Sequence, residues 1–189
     1  MKLNNKMKRF VIIIVVYVIF SLFFKGYSPF YPSIPVYPNN NEEAILVKKY
    51  MNKRSKKDVD FFYKTNKGVH YAFLPYVEEN EEELKKIIKD PFVKLIVYGN
   101  KYLINRARPE QVDNTIKPLN TDTAQTPAFP AGHAYQAHVL YKKLSKKYPK
   151  KKELFKRLSY ECDYCRIKAG LHYPSDGEYS RKLVDLFYN

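Results

Sequence analysis

Past residue 40 the hydrophobic positions of this chain recur at helical spacing, and no stretch alternates convincingly as a strand. Residues 42–52 place Ala44, Ile45, Val47 and Met51 on a predicted helix. Ser55 is positioned to cap a second one running through Val59, Phe61 and Phe62. Residues 79–89 start acidic and end basic, as the helix dipole favours. Asp90 caps the next helix, with Pro91 at its first position, and that helix carries Phe92, Val93, Leu95, Ile96, Tyr98, Tyr102 and Leu103. Residues 108–130 are rich in Pro, Thr, Asn and Asp and predict a long loop, a feature that in compact domains is often functional. Residues 132–148 set Ala137, Leu140, Tyr141, Leu144 and Tyr148 on one face and lysines on the other, with Pro149 as terminator. Residues 151–169 turn Leu154, Leu158, Cys162 and Cys165 inward, and Gly170 closes them as a C-terminal cap. After a short loop with His172 and Pro174, Ser175 is expected to cap a last helix through Leu183, Val184 and Phe187. The predicted fold class is all-α.

The N-terminal stretch follows another logic. Lys2, Lys6, Lys8 and Arg9 precede an uncharged apolar run, Phe10 to Phe24, closed by Lys25. This is the pattern of a secretory signal or a short signal-anchor. The run falls short of the roughly 20 apolar residues of a usual spanning helix. No clear small-x-small cleavage site follows, so a retained single-pass anchor is expected. The basic flank then stays cytoplasmic and the rest of the chain lies on the extracytoplasmic or lumenal side, or is secreted if the segment is cleaved. Pro29, Pro32, Pro35 and Pro38, three apart, suggest an extended spacer. The expected organisation is a basic flank and apolar segment over residues 1–26, a proline-rich spacer over 27–40, and a helical domain over 41–189.

Composition narrows the function. The 189 residues are 45% hydrophobic and 28% charged, with a formal net charge of +15. Such an excess of positive charge calls for anionic partners. The lysines between Lys142 and Lys152 are spaced as the solvated face of helices, and no nucleic-acid-binding motif appears. Cys162 and Cys165 are the only cysteines, which excludes a disulfide scaffold. A zinc site needs two further ligands at a suitable spacing, and His70 and His138 do not supply them, so no metal is expected.

Three segments concentrate unusual residues. Lys101 and Arg108 bracket a helix end and the start of a loop. Pro130-Ala131-Gly132-His133 leads a loop into a helix, where free backbone N–H groups face outward and attract anions. Arg166 precedes His172 and Asp176, spaced so that the Asp can accept one ring N–H and leave the other nitrogen as a nucleophile. Alone, the first segment reads more simply as surface cations beside a helix end and the second as a surface histidine, and the third is only suggestive. Together, in order and spacing, they resemble the type-2 phosphatidic acid phosphatase and vanadium haloperoxidase superfamily, whose pattern is K-x6-R-P, then P-S-G-H, then S-R-x5-H-x3-D. Here it runs from Lys101 to Pro109, Pro130 to His133, and Cys165 to Asp176. The flanking residues are similar to the globular acid-phosphatase branch.

The resemblance implies an all-α helical bundle and a metal-independent phosphomonoesterase, acting on a soluble phosphoester or on a lipid phosphate or diphosphate. It assigns phosphate contacts to Lys101, Arg108, Arg166 and the Gly132 backbone, nucleophilic attack to His172 oriented by Asp176, and proton donation to His133. No cofactor is implied, and vanadate should inhibit. Two departures stand out. Cys165 replaces a usual Ser, and Ala131 replaces the Ser whose hydroxyl contacts phosphate, so Thr123 or Thr126 is a candidate substitute. The alternatives are a vanadate-dependent haloperoxidase using the same pocket, and a non-catalytic, membrane-tethered anion-binding protein.

Overall fold

A computed structural model describes residues 26–29 and 33–188, and every regular element among them is helical. Helix α1 spans Asn40–Asn52, α2 Lys56–Asn66, α3 His70–Phe73, α4 Glu81–Ile88, α5 Pro91–Ile104, α6 Pro109–Val112, α7 Gly132–Lys147, α8 Lys152–Lys168 and α9 Pro174–Phe187. Single 3-10 turns cover Leu74–Tyr76 and Pro149–Lys151. The basic flank and the apolar run lie outside the described residues, so the expected anchor is not seen. Among the described residues no helix is long and apolar enough to cross a membrane.

Local chemistry sets the helix starts. The Ser55 hydroxyl accepts the Asp58 N–H at 3.3 Å while the Asp58 carboxylate accepts the Ser55 N–H at 2.8 Å. This reciprocal box fixes the start of α2. Asn80 and Glu83 repeat it at α4, so that helix begins at Glu81 and not at the Glu79 expected from its acidic start. Asp90 caps α5 by accepting the Phe92 N–H at 2.8 Å, as its side-chain type favours. The last helix departs from expectation. It starts at Pro174, whose missing N–H suits a first-turn position, and Ser175 lies inside it. The carboxylate of Asp176 takes the capping role by accepting the Tyr173 N–H at 3.0 Å.

The 3-10 turn at Pro149 returns the chain, and α7 and α8 form the most extensive helix pair. Their facing sides bury Leu140, Leu144, Phe155, Leu158 and Cys162 with Phe73 and Leu84 from α3 and α4. Cys162 and Cys165 are free and buried, as inward positions of α8 should be. A second cluster joins α5, α7 and α9 through Val93, Val97, Tyr135, Val139 and Val184. A third, of Ala44, Val47, Ile116, Ala128, Ile167 and Tyr173, ties α1 to the long loop and to the start of α9.

At the end of α8 the chain must reverse at once. Gly170 has a φ of +80, and a Cβ there would lie 3.1 Å from Met51 Sδ. That left-handed backbone strains any residue with a side chain. The Gly170 N–H donates to Ile167 O at 2.9 Å, and the Leu171 N–H donates to Arg166 O at 3.1 Å, which closes the helix end. The turn delivers His172 next to the helix it has just left. The segment expected as a spacer lies along the domain: the Ile34 N–H donates to Ile104 O at 3.2 Å, and Tyr37 covers the Arg106 guanidinium at 4.2 Å.

Candidate active site

The three segments singled out in the sequence meet at one cavity of about 420 Å³. Lys101 reaches it from the last turn of α5, Arg108 from the loop that follows, Gly132 and His133 from the first turn of α7, and His172 from the turn before α9. Thr123 and Thr126 of the long loop also line it. Arg166 stands behind this wall, stacked on the Phe62 ring at 4.5 Å.

His172 is almost wholly buried, and its Nδ1 lies 2.9 Å from Asp176 Oδ2. Ionised Asp176 can only accept, so Nδ1 carries the proton and Nε2 keeps a lone pair. Burial pushes the His172 pKa down to about 3 against the raising effect of Asp176, with Arg108 and Lys101 adding to the depression. The ring is therefore neutral, with its Nε2 lone pair free to act. Burial also pulls the Asp176 carboxyl upward, but Arg106 and His172 outweigh it and hold its pKa below the ordinary value.

The cations are fixed by carbonyls. Lys101 Nζ donates to Pro127 O at 2.5 Å and to Ala128 O at 3.2 Å. Arg108 donates from Nε to Thr126 O at 2.9 Å and from a terminal nitrogen to Leu171 O at 2.8 Å. Arg166 is held by Asn66 Oδ1, at 3.1 Å from each terminal nitrogen, and by Thr123 Oγ1 at 2.7 Å. Its buried Nε–H has no partner among the described residues. Burial lowers the pKa of all three; the Arg108 charge lowers Lys101 and Arg166 further, while Glu110 and Asp176 oppose the shift at Arg108 itself. Burial and the potentials of Arg166, His172, Lys101 and Arg108 likewise hold His133 well below its usual value. Positive charge is thus gathered here beyond what the neighbouring carboxylates balance, and a bound anion relieves it.

Gly132 opens α7. A Cβ there would meet only Val97, at an ordinary 3.5 Å, so packing within the protein does not require glycine. What the absent Cβ leaves free is backbone at the cavity wall. Ala131 is fully buried and is not part of the wall; its N–H donates to Asp176 O at 3.2 Å. Of the two threonines, Thr123 puts its hydroxyl on Arg166, whereas Thr126 contributes its carbonyl to Arg108.

The residue that joins these parts stands at an unspecified position inside the first motif. Arg106 is completely buried and donates to Asp176 Oδ1 at 2.6 Å, Glu43 Oε2 at 2.7 Å, Ser175 Oγ at 2.7 Å and Asn40 Oδ1 at 2.9 Å. The Tyr173 ring lies beneath the same guanidinium at 3.8 Å, a cation–π contact. A chain of hydrogen bonds therefore runs from Glu43 through Arg106 and Asp176 to His172. Arg106 stands between Lys101 and Arg108 in the chain, and that position is its one signal in the sequence. Glu43 and Asn66, on helices remote in sequence, carry none. Compared with models of known protein families and with curated proteins, the chain matches none.

Proposed function

We propose that this chain is a phosphatase of the type-2 phosphatidic acid phosphatase kind, hydrolysing phosphomonoesters through a phosphohistidine on His172. The observation that carries the reading is a neutral histidine, tautomerically fixed by Asp176, on the wall of a cavity with three buried cations around it. In the first step the Nε2 lone pair forms a bond to phosphorus as the P–O bond to the leaving alkoxide breaks. Protonated His133, a state that the bound anion favours, passes its proton to that oxygen. In the second step neutral His133 takes a proton from water, whose oxygen bonds to phosphorus as the P–N bond breaks. Inorganic phosphate leaves and His133 is again protonated. Lys101, Arg108, Arg166 and the Gly132 N–H stabilise the charge on the transferring group, the main task in this chemistry. These cations do the work that metal ions do elsewhere, so the reaction needs no metal.

The test is turnover of an aromatic phosphomonoester, with acid-quenched trapping of the intermediate. His172→Ala should abolish both hydrolysis and the trapped phosphohistidine. The parent should keep its activity in EDTA and lose it to vanadate. Near-normal turnover by His172→Ala, or loss on chelation restored by a divalent ion, would sink the mechanism.

A further inference from the structure

Helix α5 turns an apolar stripe outward while it buries one of its two cations, Lys101. Its inner side carries Val93, Val97, Ile104 and the buried cation Lys101. Its outer stripe, at helical spacing, is Phe92, Leu95, Ile96, Gly99, Tyr102 and Leu103, and it holds no charge through the whole helix. Leu95 is 68% exposed, Leu103 50% and Phe92 43%. Across the chain 28% of residues are charged, and against that background such a stripe is not ordinary surface. Leu186 and the exposed Phe187 of α9 widen it, Phe187 packing edge-on against Phe92 at 5.4 Å.

We propose that this stripe is the face by which the domain lies on a lipid bilayer. Three observations select that occupant. The first is the chain itself. The Ser28 N–H donates to Asn105 Oδ1 at 3.2 Å, and Asn105 Nδ2 returns a bond to Ser28 O at 2.9 Å. The described chain therefore begins at the C-terminal end of α5. Phe24, the last residue of the apolar run, stands only four positions before Ser28. That separation is a reach of roughly 14 Å at full extension. A bilayer that takes up the run meets the stripe at the same level. The second is size. Helix α5 has 14 residues, which span roughly 21 Å. That is too short to cross a hydrocarbon core of roughly 30 Å but suited to lying in its interface. The third is the border of the stripe. Tyr98 and Tyr102 stack at 6.4 Å, amphipathic rings of the kind that settle at headgroup depth. Tyr98 also lines the cavity, as do the exposed Lys89 and Lys94, which suit acidic headgroups. Docking on α5 sets the cavity mouth at the headgroups, so the substrate is a phosphate-bearing lipid. That last step rests on the phosphatase reading, whereas the docking does not.

The chain contains no tryptophan, so a single one reports its own site. The full chain carrying Leu95→Trp is reconstituted with phosphatidylcholine and phosphatidylglycerol vesicles brominated along their acyl chains. Tyr164→Trp, on an exposed position of α8, is the control. The expected result is blue-shifted, bromine-quenched emission from position 95 and solvent-like, unquenched emission from position 164. Solvent-like emission from position 95 overturns the proposal. So does a blue shift without quenching, which means that the apolar run or a second copy of the chain covers the stripe, and so does equal quenching at both positions. In a separate arm, Leu95→Glu combined with Leu103→Glu should cut turnover of phosphatidate in vesicles about tenfold while leaving a soluble phosphomonoester unaffected. If the parent hydrolyses neither, the phosphatase reading fails and the quenching result still decides the docking.

Discussion

Asp176 serves three groups at once, and that makes its surroundings the most sensitive point of the site. One oxygen takes the His172 ring and the Tyr173 N–H, and the other takes Arg106. Arg106 is not among the residues that line the cavity, so its effect on the proposed reaction passes through Asp176. Removing its charge strands Glu43 and Asp176 in the interior, a cost of about 3–5 kcal/mol, and Arg106→Met should fail to fold. Arg106→Lys is the informative variant. A lysine keeps the charge but cannot fork between two carboxylates while also reaching Asn40 and Ser175. The expected result is a fall in kcat of about tenfold to a hundredfold with KM little changed. With Asp176 less well paired, its charge bears more fully on His172 and raises that pKa from about 3. The acid limb of kcat/KM should then move to higher pH. A loss of stability with an unmoved acid limb would assign Arg106 a structural role alone.

Among the elements, two helical glycines make opposite forecasts. Gly177 in the first turn of α9 lies against Asp163 of α8, and a Cβ there would fall onto the Asp163 carboxylate. Asp163 is buried and paired with Arg181, so it cannot swing away cheaply. Gly177→Ala should destabilise by about 3 kcal/mol and misplace the start of α9, which carries Asp176. Gly99, on the outer stripe of α5, has nothing within 4 Å of a Cβ. Gly99→Ala should therefore stabilise by about 0.5–1 kcal/mol. Urea unfolding of the two variants checks both, and a shared sign would refute the packing argument. Such close approaches between helices are invisible in sequence. The helices themselves are legible there, because Ser55, Asp90, Pro149 and Gly170 act within a few residues of where they stand. The start of α9 departs from expectation because Ser175 is an equally good cap by type, and only Glu43, far away on α1, draws it into the buried ion cluster. The path of residues 33–37 departs likewise, since proline spacing fixes an extended conformation but not what it lies against. The cavity gathers Lys101, Arg108, His133 and His172, with Asp176 behind His172; the spacing within each segment is legible in the sequence, while the shell that holds them needs the fold.

On the scale of the whole molecule, its histidines set its response to acid. There are four, and all are shifted downward, each by burial first. His172 is pushed to about 3, and His138, between Ser159 and Asp185, to about 4. A group whose folded pKa is depressed contributes its stability above its unfolded pKa, about 6.5 for histidine, and loses it as pH falls towards the folded value. In that window the unfolded chain binds protons that the folded chain refuses. Between neutrality and about pH 5, His172 and His138 each remove about 2 kcal/mol, and His70 and His133 act in the same direction. Asp163 opposes them. Burial raises its pKa to about 6. Part of its cost at neutrality is therefore lifted on acidification, by about 1 kcal/mol. The histidines prevail, and urea unfolding should show a net loss of at least about 3 kcal/mol between about pH 7 and pH 5, a large fraction of an ordinary domain's stability. His138 lies outside the cavity, so His138→Gln should flatten this slope without altering the pH profile of turnover. Inorganic phosphate should offset the loss by binding the folded cations alone. Stability that stays level or rises on acidification would mean that the histidines are far better solvated than their burial implies. The neutral state assigned to His172 would then lose its basis.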